Sequence, residues 1–218
     1  MKTLLAGLAA ALLSACAPAS PPAAVVRAET HLFADGGGAR ARVSRAIHAD
    51  GAEVLHGETD LPGSRLRLVE DARLDPGGRL SRAEIRLIGE DGATRAHLVA
   101  DRSSGSVRRT DALGASAWTP PLDGPWAVEP PTGVGPVAAW LARRAAESGE
   151  PVRVIRADAA ASYLAPAEQV AIPTETGATV VLGESAGEAD GVFLRRVRSL
   201  AGPLDLVRVE PAALAAVQ

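Results

Sequence analysis

The sequence has 218 residues, and its 23 Lys and Arg residues against 26 Asp and Glu residues give a formal net charge of −3. This balance argues against a nucleic-acid partner, because phosphate binding requires clusters of basic residues, whereas the Arg residues here alternate with apolar and acidic ones. The single cysteine, Cys16, excludes an intrachain disulfide bond and a thiolate metal cluster. In the favoured interpretation we predict no cofactor and no metal.

The N-terminus has the layout of a bacterial export signal. Lys2 supplies one positive charge, and residues 4–13 form an apolar run of Leu, Ala and Gly. A helix of that length rises about 15 Å, half of the roughly 30 Å hydrocarbon core of a membrane, so the run is too short to span it. We predict that residues 1–15 are a signal peptide.

The four residues that end this region carry a recognisable motif. Leu13-Ser14-Ala15-Cys16 resembles the lipobox of bacterial lipoproteins. The resemblance implies cleavage before Cys16, lipid on its thiol and a protein anchored to a membrane of the cell envelope. Ala17 follows in place of Asp, which by the sorting rule of that family points to the periplasmic face of the outer membrane. The alternative is an ordinary secretory peptide with an accidental cysteine.

The mature chain divides into a tether and one domain. Residues 16–28 begin with the predicted lipidated cysteine and are otherwise small or proline-rich, which is typical of an extended, flexible tether. Residues 29–218 are enough for one sizeable core. We divide this domain into a meander over residues 29–115, a crossover over residues 116–135, and a helix with further strands over residues 136–210.

Period-two alternation marks the first part as antiparallel strands. Apolar and polar residues alternate over residues 65–68 and again over residues 83–87, and residues 75–78, Asp-Pro-Gly-Gly, form a turn between them. Another strand is predicted around residues 96–99. The pattern predicts a β meander with one face on a core.

The crossover is rich in proline and contains two of the three tryptophans. Its five prolines favour an extended segment without helix or sheet, which we expect to cover one end of the core. Trp118 and Trp126 then have two interpretations. They either fasten this segment to the core or line the opening of a pocket for an apolar ligand.

The period changes to that of a helix after the crossover. Pro136 suits the first turn, and Val137, Trp140 and Leu141 share one face, so we predict a helix over residues 136–148. More strand-like stretches follow. The fold class is therefore α+β, a curved antiparallel meander or half-barrel with one main helix packed against it.

A lipid-anchored periplasmic meander with a helix against it resembles the half-barrel proteins of the LolA/LolB type, which carry or receive lipidated cargo. The resemblance is one of architecture over residues 29–210 and rests on no residue motif. It implies a curved sheet with a helix packed on it, and it assigns no site residue.

The densest group of polar side chains lies between residues 48 and 60. His48 and Asp50 are two residues apart, as are His56 and Glu58, and Asp60 follows. Residues at this spacing share one face of a strand, so the two pairs would converge on a metal ion if a hairpin joined them. We favour the other interpretation, that these are solvated positions on ordinary strands.

These observations lead to three functional hypotheses. We favour a lipid-anchored binding or scaffold domain without catalytic residues, held at the membrane through Cys16. If this domain binds an apolar ligand, Trp118 and Trp126 are the residues that we expect to contact it. A protein-interaction domain in an envelope complex is the first alternative. The second is a hydrolase or metal-dependent enzyme that uses the residues around His48 and Asp60.

Overall fold

The protein is represented by a computed structural model. Its described residues are 23–61, 63–132, 134–175, 177–190 and 193–210. The predicted signal peptide, Cys16 and most of the predicted tether lie outside them. Within the described residues, no helix has the length and apolarity needed to cross a membrane.

Strands dominate the described part of the chain. They are β1 (Val25–Ala34), β2 (Arg40–His48), β3 (Glu53–Leu61), β4 (Leu66–Leu74), β5 (Leu80–Gly89), β6 (Thr94–Asp101), β7 (Ser106–Asp111), β8 (Gly114–Trp118), β9 (Trp126–Glu129), β10 (Val152–Arg156), β11 (Ala161–Ala165), β12 (Ala171–Thr174), β13 (Gly177–Leu182), β14 (Ser185–Ala189), β15 (Leu194–Ser199) and β16 (Asp205–Val209). The helices are α1 (Pro136–Ala146) and α2 (Ala167–Val170).

Thirteen of these strands form one antiparallel sheet, in the order β12-β13-β14-β15-β16-β1-β2-β3-β4-β5-β6-β7-β8. Neighbours along the chain are neighbours in the sheet except where β16 pairs with β1. The sheet is open and curved, which confirms the predicted α+β class and meander. Its first strand begins at Val25, so residues 25–28, which we expected in the tether, belong to the sheet.

The turn between β4 and β5 shows how local sequence fixes the meander. The Asp75 carboxylate accepts a hydrogen bond from the Arg79 backbone N–H at 2.9 Å, which closes the turn. Gly78 adopts a φ of 75°, a conformation that residues with a Cβ rarely adopt. The turn predicted from residues 75–78 is therefore confirmed in place and in mechanism.

The crossover differs from its prediction, because it contains the end of one strand and the whole of another. Residues 114–118 form β8, the last strand of the large sheet, and residues 126–129 form β9. β9 pairs in parallel with β10 in a second sheet of order β11-β10-β9. The expectation of a segment without sheet was wrong, because the buried apolar residues 126–128 find a partner strand beyond the helix.

Helix α1 packs inside the curve of the large sheet. It contacts β2, β3 and β4 on one side and β12 to β15 on the other, so the sheet bends around it. Trp140 stacks on Phe193, with ring centroids 5.7 Å apart, at the centre of this core. The predicted helix over residues 136–148 is confirmed, ending at Ala146.

A buried carboxylate fixes where α1 begins. Glu70 in β4 is 2% exposed and accepts hydrogen bonds from the Val137 N–H at 3.2 Å and the Ala138 N–H at 2.9 Å. A Cβ on Gly57, opposite Glu70 on β3, would lie 2.7 Å from a Val137 methyl group. A Cβ on Gly135 would overlap Glu70 itself. The two glycines therefore make room for the helix N-terminus over the middle of the sheet.

Candidate functional site

The helix is shorter than the strands that surround it. Its 11 residues span about 16 Å, whereas a strand of nine residues such as β4 spans about 30 Å. Its last turn lies near Gly78, where an added Cβ would sit 3.1 Å from the Arg144 guanidinium. Its first turn lies at Glu70, the middle of β4. The half of the sheet beyond Glu70 therefore has no part of α1 above it.

We call this half the cleft end, since an open cleft of about 1040 Å³ lies there. Three loops form its rim: residues 35–39, residues 63–65 and residues 200–204. The opposite end, which carries the start of β1 and the turn at residues 75–79, is the tether end. Large apolar side chains that line the cleft are Leu61, Leu66, Leu87, Leu204, Val207 and Val209.

Polar groups at the rim are used to hold the loops. The Asp35 carboxylate accepts hydrogen bonds from the Gly37 N–H at 2.9 Å and the Ala39 N–H at 2.7 Å, which closes the first loop. Asp205 forms a two-bonded ion pair with Arg196, one bond at 2.6 Å, and this pair lowers the pKa of the carboxyl group. The rim carboxylates are therefore occupied, and the cleft presents mostly apolar surface.

Leu66 and Leu87 show that this apolar surface is open to solvent. They point to the core face of the sheet, as the buried Leu68 and Ile85 two residues away do, yet both are only partly buried where they line the cleft. A large apolar side chain left in water is disfavoured by about 25 cal/mol for each Å² of apolar area, so covering it is favourable. A concave apolar surface with few polar groups is the usual form of a site for an apolar ligand.

The two tryptophans singled out from the sequence do not line this cleft. Trp126 is 1% exposed and lines a separate groove of about 330 Å³ at the tether end, together with Arg79, Arg102 and Arg144. Trp118 ends the edge strand β8, partly buried against the core. The structure does not bring the two indoles to a common opening.

The C-terminal end of the crossover lies at the cleft. Pro131 and Thr132, just before α1, line it. Sequence reasoning missed the remaining lining residues because they come from loops and strand ends that are distant along the chain. The run Gly36-Gly37-Gly38, which forms part of the rim, is a local sequence feature that could have drawn attention to this loop.

The polar group between residues 48 and 60 does not converge. Ser44 pairs with His56 across β2 and β3, and His48 is four residues beyond Ser44 on β2. His48 and His56 are therefore about 13 Å apart along the strand direction. His48 contacts the Ala23 carbonyl through Nδ1 at 2.7 Å, and Asp50 closes its own turn by accepting the Ala52 N–H at 3.0 Å. Across the described ranges, no set of three or more His, Cys, Asp and Glu side chains is arranged to hold a metal ion.

His56 belongs instead to a ladder of ion pairs on the outer face. Its Nδ1 lies 2.7 Å from the Asp71 carboxylate, and this hydrogen bond raises the pKa of the imidazole. Asp71 also binds Arg86 at 3.0 Å. Glu84, which lies opposite Asp71 on β5, binds His97 at 3.0 Å. Such alternating charges on exposed neighbouring strands contribute to strand pairing.

The cleft is thus the feature of the described residues that best fits a binding role. No family model, curated protein or solved structure matches this chain. The function must therefore be argued from the geometry and chemistry of the cleft.

Proposed function

We propose that the protein is a lipid-anchored binding protein of the bacterial cell envelope that holds an apolar ligand in the cleft. The observation that carries the proposal is the open apolar cleft of about 1040 Å³ at the end of the sheet that α1 leaves uncovered. Pockets for small molecules have volumes of about 300–1,000 Å³ and are lined mainly by apolar side chains. The lipobox-like motif ending at Cys16 supports the envelope location.

Energetics favour an apolar chain as the occupant. Each methylene group moved from water into such a surface contributes about 0.8 kcal/mol, so a chain of eight carbons gains roughly 6 kcal/mol before the cost of association. The ion-paired rim leaves few polar groups whose hydration the ligand would have to replace. A fatty acyl chain therefore fits this surface better than a sugar or a nucleotide does.

The position of the predicted anchor keeps the mouth accessible. β1 starts at the tether end, where the Ala24 carbonyl accepts a hydrogen bond from the Ala49 N–H at 2.8 Å. The ten residues of β1 then run about 33 Å to the cleft end. A lipid on Cys16 would thus be joined to the end of the domain opposite the cleft.

Polar substitutions inside the cleft should weaken ligand binding. In a chain without residues 1–16, which retains every described residue, we expect Leu66→Gln or Leu87→Gln to raise the Kd of a fluorescent fatty acid by about tenfold or more, because each removes apolar contact area. Fluorescence titration measures this Kd. The matched control is Leu113→Gln, since Leu113 is 91% exposed in the turn after β7 and lies outside the cleft.

If the wild-type domain binds no apolar probe, or if Leu113→Gln weakens binding as much as Leu66→Gln does, the cleft is not a ligand site. The first of these results would favour the protein-interaction alternative. Circular dichroism of each variant separates a loss of binding from a loss of structure.

Lipid attachment is tested separately from binding. We expect Cys16→Ala to abolish labelling of the chain by a radioactive fatty acid in a bacterial host and to leave an uncut precursor. Ser14→Gly, which keeps a small residue in the motif, is the matched control and should preserve labelling. Mass spectrometry of the wild-type protein that finds an unmodified N-terminus at another residue would overturn the lipoprotein assignment.

A further inference from the structure

The glycines of the chain differ in how far the fold requires them. Most described glycines either adopt a positive φ or have an atom within 3.4 Å of the place where a Cβ would stand. In both cases an added side chain would either strain the backbone or require a neighbouring group to move, which gives glycine a local structural reason. The described glycines that meet neither condition are Gly36, Gly37, Gly63, Gly124 and Gly202.

Four of these five unconstrained glycines line the cleft, and they lie on all three rim loops. Gly36 and Gly37 belong to the first loop, Gly63 to the second and Gly202 to the third. A Cβ on Gly36 or Gly63 would meet no atom within 4 Å, and one on Gly202 would make an ordinary contact of 3.5 Å with Ser199. Folding therefore gives no reason for the missing side chains.

Glycine without a structural reason has a cost. It increases the conformational entropy of the unfolded chain, so replacing it at a compatible position usually stabilises a protein. At the rim, the absence of side chains has one direct physical effect, which is a wider opening. The volume of about 1040 Å³ at this opening is at the upper end of the usual range for ligand pockets.

We propose that Gly36, Gly37, Gly63 and Gly202 are specificity-determining residues that keep the mouth wide enough for a lipid with two acyl chains. This inference rests on the proposed function, since it concerns which apolar ligand the cleft takes. A single straight chain passes through a narrow opening, whereas two chains joined at one headgroup need a broad one. The rim glycines thus admit two-chain lipids, which a narrower mouth would exclude, in addition to single-chain fatty acids.

The test compares two ligands that differ by one chain. Monooctanoyl- and dioctanoyl-phosphatidylcholine, each below its micelle-forming concentration, compete with a fluorescent fatty acid for the chain without residues 1–16. The variant replaces Gly36, Gly63 and Gly202 by Leu together, so that at least one side chain narrows the mouth. Gly124→Leu is the matched control, because Gly124 is equally unconstrained and lies in the groove at the tether end.

We expect the triple variant to raise the Kd of the two-chain lipid by about tenfold and that of the one-chain lipid by less than about threefold. Gly124→Leu should change neither, and the unfolding midpoint of each variant should equal or exceed that of the wild type. If the triple Leu variant does not fold, the corresponding triple Ala variant is measured, with a smaller effect of the same kind.

Two results would overturn the inference while leaving the proposed function intact. In one, the folded triple variant binds the two-chain lipid as the wild type does. In the other, it loses both ligands to the same extent, which would mean general damage rather than a narrower mouth. If the wild type binds neither lipid nor the probe, the proposed function itself fails.

Discussion

Replacing Trp126 with alanine should lower the free energy of unfolding by about 3–5 kcal/mol, the range found for large-to-small changes in protein cores. Trp126 is 1% exposed and packs in the main core, where its removal leaves a cavity that the two surrounding sheets cannot close. Denaturant unfolding followed by far-ultraviolet circular dichroism measures the change. Ligand affinity should be unchanged under conditions in which the variant stays folded.

Two other tryptophan substitutions should lower the free energy of unfolding by less. Trp126→Phe should cost less, because the ring stays and the buried indole N–H, which has no hydrogen-bond partner, is removed. Trp118→Ala should also cost less, since Trp118 is only partly buried. If Trp126→Ala leaves stability unchanged but abolishes binding of a fatty acid, Trp126 is a ligand residue and the cleft has been misplaced.

The stability of the wild-type protein should fall by about 3 kcal/mol, relative to Glu70→Gln, as the pH rises from about 4.5 to above 7. Burial raises the pKa of Glu70 from 4.5 to about 7, against the opposing effect of its two backbone hydrogen bonds. The folded state therefore keeps a proton that the unfolded state releases in this interval. The contribution is fully present below pH 4.5 and is lost as the pH passes 7.

Glu70→Gln supplies the reference because its amide does not titrate yet retains an oxygen to accept the Ala138 N–H. Urea unfolding of both proteins at several pH values gives the difference in free energy. A difference that stays constant from pH 4.5 to 8 would mean that the two N–H donors of α1 hold the carboxylate ionised, as the start of a helix favours an anion. In that case the pKa of Glu70 would lie near its ordinary value.

Local patterns were sufficient to predict the first half of the fold. The alternation over residues 83–87 belongs to β5, and the Asp-Pro-Gly-Gly turn lies where it was expected. Each of these depends on neighbours within a few residues. The strand β9 was missed because its partner β10 lies beyond the helix, and the prolines around it gave a stronger local signal than residues 126–128 did.

The site was harder to predict than the fold for the same reason. The rim loops at residues 35–39 and 200–204 are far apart in sequence and meet only because β1 pairs with β16. The size of the cleft depends on where α1 starts, and that is set by Glu70, a residue that reads in sequence as one more polar position in a strand. The sequence led to the hypothesis of an apolar ligand at Trp118 and Trp126, but neither tryptophan lines the cleft.

The pairing of β1 with β16 also constrains the order in which the protein can assemble. Phe33 in β1 lies opposite Arg208 in β16, so this edge of β1 is not hydrogen-bonded until β16 has been synthesised. Contacts between such distant residues slow folding, and the unpaired edge of β1 is meanwhile open to other chains. A chain still emerging during synthesis therefore cannot complete this sheet, and we expect it to depend on chaperones until β16 is free to pair.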